Sequence, residues 1–445
     1  MQKKCKITIS LTTSKFLLLT QYFYGNLANL TTVVFVVLFI TFVQDIGATG
    51  SFTTVSTGLT EDYKYRGAVA IGTKVFFPPY YEHNIGVLNT TNGAFTTISV
   101  GSDLKNKYRG AVAIGTKLYF VPRNEDNVGV LETTNNTFTT IAISVTGNYK
   151  YDGAAVLGTK IYFGPCYQNN VGVLETSDNS FTTVAISVSG NAKYRDPVVV
   201  GTKVYFVADG QTNIGVVDTT DNTFSTIPFT GRYGSAVLIA TKLYLVPRGG
   251  GANPDDIGIV DTTDDTFSTI AISVSGDAKY DGAVVIGTKI YFGPQNQNNI
   301  GVLETTNNTF TTIAISVSGD GKYDGRLAAV DGKIYFPPWN VNDVGILALP
   351  CIPTEVANSD KATAGAISGN AGDQVSVACL TNFHVSGTTT TNEIVTCGAN
   401  NNLNFAAVPS CIADPTCADI DGGDSTDINA FTCVNGTNHL KDTPS

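Results

Sequence analysis

Tyr108-Arg-Gly-Ala-Val-Ala-Ile-Gly-Thr-Lys-Leu-Tyr-Phe-Val-Pro122 is followed, after a short polar loop, by Asn127-Val-Gly-Val-Leu-Glu-Thr-Thr-Asn-Asn-Thr-Phe-Thr-Thr-Ile-Ala-Ile143. The stretch recurs along the chain. Its Gly-Thr-Lys motif, or a close variant, falls at Thr73, Thr116, Thr159, Thr202, Thr241, Thr288 and Gly332, with spacings of 43, 43, 43, 39, 47 and 44 residues. A fixed period of this size marks a repeat architecture, and the repeat unit decides the fold.

Each unit holds four apolar runs divided by turn residues. Gly110-Ala-Val-Ala-Ile is small and apolar throughout, as in a strand buried on both faces. After Gly115-Thr-Lys comes Leu118-Tyr-Phe-Val, rich in β-formers and stopped by Pro122. Val128-Gly-Val-Leu is the third run. Thr137-Phe-Thr-Thr-Ile-Ala-Ile, the fourth, mixes polar and apolar positions, as an outer strand with one wet face does. Four short strands per unit of this length describe one propeller blade, so seven anchors predict an all-β, seven-bladed β-propeller over residues 51–350. The seventh unit stops at Pro350-Cys351 without its fourth run, and the missing run stands at the other end, as Gly50-Ser-Phe-Thr-Thr-Val-Ser-Thr-Gly. Pairing of this segment beside Val344–Leu347 would complete the last blade and leave no free sheet edge. The repeats resemble the broad class of Kelch and YVTN-type propellers at the level of architecture. The double Gly of Kelch and the Trp-Asp of WD repeats are absent, and function does not follow from such a likeness.

The 445 residues are 14% charged, with 45 Gly, which suits an all-β chain. A net charge of −10 argues against nucleic-acid partners and against binding to anionic membrane surfaces. Residues 1–50 read as a targeting segment. Lys3, Lys4, Lys6 and Lys15 precede the apolar Val33–Val43, and Ala48-Thr-Gly50 offers small residues for cleavage. A cleaved secretory signal is the expectation, an uncleaved anchor the alternative and the chain's one route to a membrane. Either puts the repeats in a secreted or cell-surface setting. The sequons at Asn89, Asn135, Asn307 and Asn435 agree with a glycoprotein.

Six of the eight cysteines crowd the C-terminal part: Cys351, Cys379, Cys397, Cys411, Cys417 and Cys433. An even cluster of this kind reads as a disulfide framework. Cys351-Ile-Pro, Gly372-Asp-Gln-Val-Ser-Val-Ala-Cys379, Ile394-Val-Thr-Cys397 and Pro409-Ser-Cys411 resemble a sushi (complement control protein) module, covering 351–412. The resemblance implies the pairs Cys351–Cys397 and Cys379–Cys411. Ala378 stands where that family has an aromatic residue, and Phe405 where it has Trp. The remaining pair, Cys417 and Cys433, closes a loop in the tail 413–445 that carries Asp419, Asp421, Asp424 and Asp427. This loop lacks the glycine and terminal glutamate of an EF-hand and reads as a solvated acidic loop.

The turns between runs one and two, and between three and four, hardly vary and share one face. Loops between runs two and three differ from blade to blade and share the other, which marks the variable-loop face as a recognition surface. Its candidate ligand-binding residues are Tyr80, Tyr81, His83, Arg123, Tyr167, Arg248 and Trp339, with the aromatics expected exposed for stacking. A second set follows the repeated tyrosines: Arg66, Arg109, Asp152, Arg195, Gly234, Asp281 and Asp324, expected at the channel mouth. Most of these charges should pair. Arg66, Arg109 and Arg195 are anion-binding candidates, and the like-charged Asp281 and Asp324 a candidate metal site. No catalytic motif or cofactor signature is present, and there are only three His. The expectation is an extracellular adaptor that recognises a glycan or a protein. A propeller hydrolase or lyase and a structural coat component are the alternatives. The sequence leaves the oligomeric state open.

Overall fold

The computed structural model describes residues 50–229, 231–249, 255–381, 383–386, 388, 390–398, 404–406, 408–413, 417–419 and 431–433. The targeting segment lies outside them, as do Asp421, Asp424, Asp427 and the side chains of Cys417 and Cys433. Seven four-stranded antiparallel sheets follow one another along the chain. Six are contiguous in sequence; blade 2, for example, is Tyr108–Ile114, Lys117–Pro122, Asn127–Glu132 and Thr137–Ala142. The seventh takes Ala328–Val330, Lys333–Phe336 and Asp343–Ala348, and its outer strand is Ser51–Ser56 from the other end. Phe52 stands opposite Leu347 and Val55 opposite Val344, the pairing that the split repeat implies.

Local chemistry makes the turn face uniform. Gly115 supplies the positive φ (+58°) at the start of a two-residue hairpin, a region open to glycine at no steric cost. In the hairpin between strands three and four, Asn136 takes φ +57°, which asparagine tolerates better than most residues. Thr133 then donates from Oγ1 to the carbonyl of Thr116 at 2.7 Å, clamping one turn to the other. Thr176, Thr219, Thr262 and Thr305 repeat the clamp on their own blades. The sameness of these turns is therefore structural.

Each blade is packed around a tyrosine, a glycine and a phenylalanine. Tyr151 on the first strand is fully buried, and its hydroxyl donates to Asn170 Oδ1 at 2.7 Å. It lies over Gly172 on the third strand, against Phe181 on the fourth. A Cβ at Gly172 would stand 2.8 Å from both rings, so only glycine fits. The same trio recurs in blade 2 as Tyr108, Gly129 and Phe138, and in blade 7 as Tyr323, Gly345 and Phe52, the last supplied by the closing strand.

A lysine recurs at a position where the fold buries it. The residue before the repeated tyrosine is Lys64, Lys107, Lys150, Lys193, Lys279 or Lys322 in six blades, and each is fully buried. Lys150 Nζ donates to the Gly147 carbonyl at 2.6 Å and to Asp126 at 2.7 Å, tying the connection between blades to the loop of the preceding blade. Burial lowers the pKa of Lys64, Lys107, Lys193 and Lys322.

Beyond the propeller lies a small disulfide-bonded β region. Cys351–Cys397 and Cys379–Cys411 are joined as the resemblance implied. Phe405 fills its core with Val356, Ile367, Val377 and Val395. The Ala371 N–H donates to Leu349 O, just after the last strand of blade 7, at 2.9 Å, and within the region Cys351 N–H donates to Gly369 O. Further on, Cys417–Asp419 pairs with Phe431–Cys433, Cys417 opposite Cys433.

Candidate functional site

Two layers of side chains close the channel on the variable-loop face, one residue per blade in each. The inner layer follows the repeated tyrosine: Arg66, Arg109, Asp152, Arg195, Gly234, Asp281 and Asp324. All six charged members are buried. They form a plug and do not rim an open mouth, because the inner strands bring them together where the channel is too narrow to hydrate them. The outer layer follows the second strand of each blade: Tyr80, Arg123, Cys166, Asp209, Arg248, Gln295 and Trp339. The sequence carries a signal for this register, since a proline precedes six of the seven inner-layer partners: Tyr80, Arg123, Cys166, Arg248, Gln295 and Trp339.

The charges pair in two groups. Around Asp152 stand Arg109 (2.8 Å), Arg123 (3.5 Å) and Arg195 (3.9 Å). Around Asp281 and Asp324 stand Arg66, 2.7 Å from Asp324 and 3.6 Å from Asp281, with Arg195 and Arg248 at 3.7 and 4.0 Å from Asp281. Burial works to raise the pKa of Asp281, but Arg195, Arg66 and Arg248 outweigh it and hold the carboxyl below its ordinary range. Burial, countered by Arg66 and reinforced by the carboxylate of Asp281, pushes Asp324 up to about 7. The two pKa values are thus pushed apart, as those of like charges in one buried site are. Three guanidinium groups thus take the place that a metal ion would have. These groups supply positive charge where a cation was expected at Asp281 and Asp324, and among the described residues no group of three or more His, Cys, Asp or Glu side chains is placed to hold a metal ion.

The aromatic candidates are only partly exposed. Trp339 and Tyr80, expected as open stacking platforms, are each 8% exposed. Blades 7 and 1 meet at the closure, and their loops interlock there: the rings of Tyr80 and Trp339 lie 4.8 Å apart, with the Arg66 guanidinium 5.5 Å from the indole. The surface of the cluster is formed by Tyr81, stacked on Tyr80 at 5.3 Å, and by Tyr63, 5.2 Å from Trp339 and 42% exposed. Tyr63 lies in the connection between blades and was missed. Arg123 carries the aromatic strip onward, 5.9 Å from the ring of Tyr80 and 4.7 Å from that of Tyr149. Tyr149 in turn contacts Tyr167, also 42% exposed. His83 is largely exposed and pairs with Asp103 at 3.0 Å, not with either layer. Residues 250–254, in the loop after Arg248, lie outside the described residues.

No family model matches the chain, and no curated protein sequence does. Solved structures do. A streptogramin B lyase is 18% identical with a TM-score of 0.57, covering 68% of this chain and 98% of that one. A virginiamycin B lyase from Staphylococcus aureus is 17% identical with a TM-score of 0.58, covering 67% and 99%. The hydrazine synthase of Kuenenia stuttgartiensis is 13% identical with a TM-score of 0.52, covering 66% and 97%. At these identities the likeness is one of fold, and it spans the propeller.

Proposed function

We propose that this chain is an extracellular binding protein whose variable-loop face recognises a glycan, with an extracellular protein as the other ligand class. The observation that carries the reading is the strip of aromatic side chains running from Tyr63 and Tyr81, past Arg123, to Tyr149 and Tyr167. Rings with one face packed and one face wet, held on loops of a rigid scaffold, stack on sugar faces or fill partner pockets. Trp339 and Tyr80 support the strip from beneath. The C-terminal β region, read as sushi-like, adds a second contact surface, and its two disulfides agree with an oxidising, secretory setting.

The test is a glycan array with the secreted chain, repeated with Tyr63→Ala, Tyr81→Ala and Tyr167→Ala. Loss of at least tenfold in affinity in one of these exposed-tyrosine variants, at unchanged melting temperature, supports the reading. A ligand bound equally by all three overturns it.

A second reading, a propeller lyase or hydrolase, is favoured by one observation: the buried carboxyl of Asp324, pushed up to about 7 beside Asp281, has the proton affinity of a general acid. Both carboxyls are buried under the outer layer, however, and Arg66, Arg195 and Arg248 engage them. One neighbour of similar fold is described as a catalytically inactive histidine-to-alanine virginiamycin B lyase with quinupristin. In this chain the layers that close the channel contain no histidine.

A further inference from the structure

Below the plug the channel is crossed by one brace. The second and third residues after the repeated tyrosine are Gly and Ala in blades 1, 2, 3 and 6, as in Gly110-Ala111 and Gly282-Ala283. Three blades depart. Blade 5 has Ser235-Ala236, a small pair like the others, whereas blade 4 has Asp196-Pro197 and blade 7 has Gly325-Arg326. In a circle of seven, blades 4 and 7 face each other across the channel. Arg326 spans the gap: Nη2 donates to the Pro197 carbonyl at 2.6 Å, and Nε lies 3.5 Å from Asp196 Oδ1. Asp196 holds φ +36° at the position where blades 1, 2, 3, 6 and 7 have glycine, such as Gly110 at +88°. A strained non-glycine residue persists where its surroundings hold it and is a mark of function.

On the plug side of the brace there is room for about one water, about 20 Å³. On the turn side the channel opens into a funnel of about 610 Å³. Its wall is alanine, valine and leucine, including Val69, Val112, Val156, Val198 and Val284, with Pro197, and Arg326 is the one charged side chain among the described lining residues. The Arg326 side chain is 36% exposed.

We infer that the funnel is a binding site for a small aliphatic carboxylate, its head on Arg326 and its tail along the valine wall. A guanidinium at the closed end of an aliphatic cavity is complementary to such a molecule: planar N–H donors match a carboxylate, and the wall offers an apolar surface for a short chain. The volume falls in the range of ordinary small-molecule sites. Burial raises the pKa of Asp196, against the opposing pull of Arg326. The site opens on the turn face and stands apart from the aromatic strip, so neither reading depends on the other.

The experiment is calorimetric titration of the chain with acetate, butanoate, hexanoate and octanoate, with hexanol as the uncharged counterpart. Hexanoate should bind saturably at one site per chain, with affinity rising about threefold to fourfold per added methylene from butanoate. Hexanol should bind at least tenfold more weakly. The double variant Asp196→Gly/Arg326→Ala restores the residues that blades 1, 2, 3 and 6 carry, so the fold should survive while hexanoate affinity falls at least tenfold. Arg326→Gln removes the charge while placing an uncharged amide near the position of Nε, beside Asp196, and should show the same loss, which gives a second reading if the double variant does not fold. Absence of saturable hexanoate binding by the unaltered chain, equal affinity in either variant, or hexanol binding as tightly as hexanoate would each overturn the inference.

Discussion

Substituting Gly172→Ala tests the packing logic shared by all the blades. The added methyl would stand 2.8 Å from Tyr151 Cζ, 3.0 Å from its Oη and 2.8 Å from Phe181 Cζ. Ordinary contact begins at 3.4 Å, so one of the two rings must give. Tyr151 is held by its hydrogen bond to Asn170 and by its complete burial. Phe181 is only half-buried on the outer strand and is the ring that moves. Overpacking of this kind costs about 1–3 kcal/mol. A propeller of roughly 300 residues unfolds with an entropy near 0.6 kcal/mol/K, so the melting temperature should fall by about 2–5 °C. Differential scanning calorimetry reads this directly. Phe181→Leu in the same chain makes room for the methyl, so the double variant should be less destabilised than the sum of the two single changes. A melting temperature for Gly172→Ala within about half a degree of the unaltered chain, or strict additivity in the double variant, would refute the packing argument.

Three further outcomes follow from particular contacts. Removing residues 1–57 strips the outer strand from Asp343–Ala348 and exposes a sheet edge, so light scattering after gel filtration should show larger species that the full chain does not form. Lys150→Met leaves the Gly147 carbonyl and Asp126 without their buried donor and should cost about 2–3 kcal/mol by denaturant titration; a change under about half a kcal/mol would mean that the buried lysines are incidental. Asp324 titrates near 7 in the fold against roughly 4 when unfolded, so its contribution to stability is complete below about pH 4 and is lost as the pH rises through about 7. Asp324→Asn stays neutral throughout, so the difference in melting temperature between variant and unaltered chain should shift in the variant's favour between pH 4 and 8; a constant difference would show that Asp324 is ionised across that range.

The repeat period was enough to count the blades because each blade is specified locally. Gly115-Thr116 makes a hairpin, Thr133 clamps the neighbouring turn, and Tyr, Gly and Phe at fixed offsets fill the space between strands. Such features recur with the period and can be read from it. The closing strand was legible for the same reason, as one fourth run displaced to the other end. The cysteine pairs Cys351–Cys397 and Cys379–Cys411 were legible through resemblance to a known module.

The channel was not legible in that way. The pairing of Arg66 with Asp324 across the closure followed from the split repeat, but whether Trp339 lies on Tyr80 or stands clear, and whether Arg326 reaches Asp196, depend on blades far apart in sequence being brought around an axis. Periodicity describes what each blade repeats, and the contents of the axis are where blades differ. The sequence alone determined the seven sheets, their closure and the two faces, since those follow from local turn and packing chemistry. Only the tertiary structure decided which charges cancel, which aromatics are covered and where the channel stays open, because these depend on distances that exist only once the circle is closed.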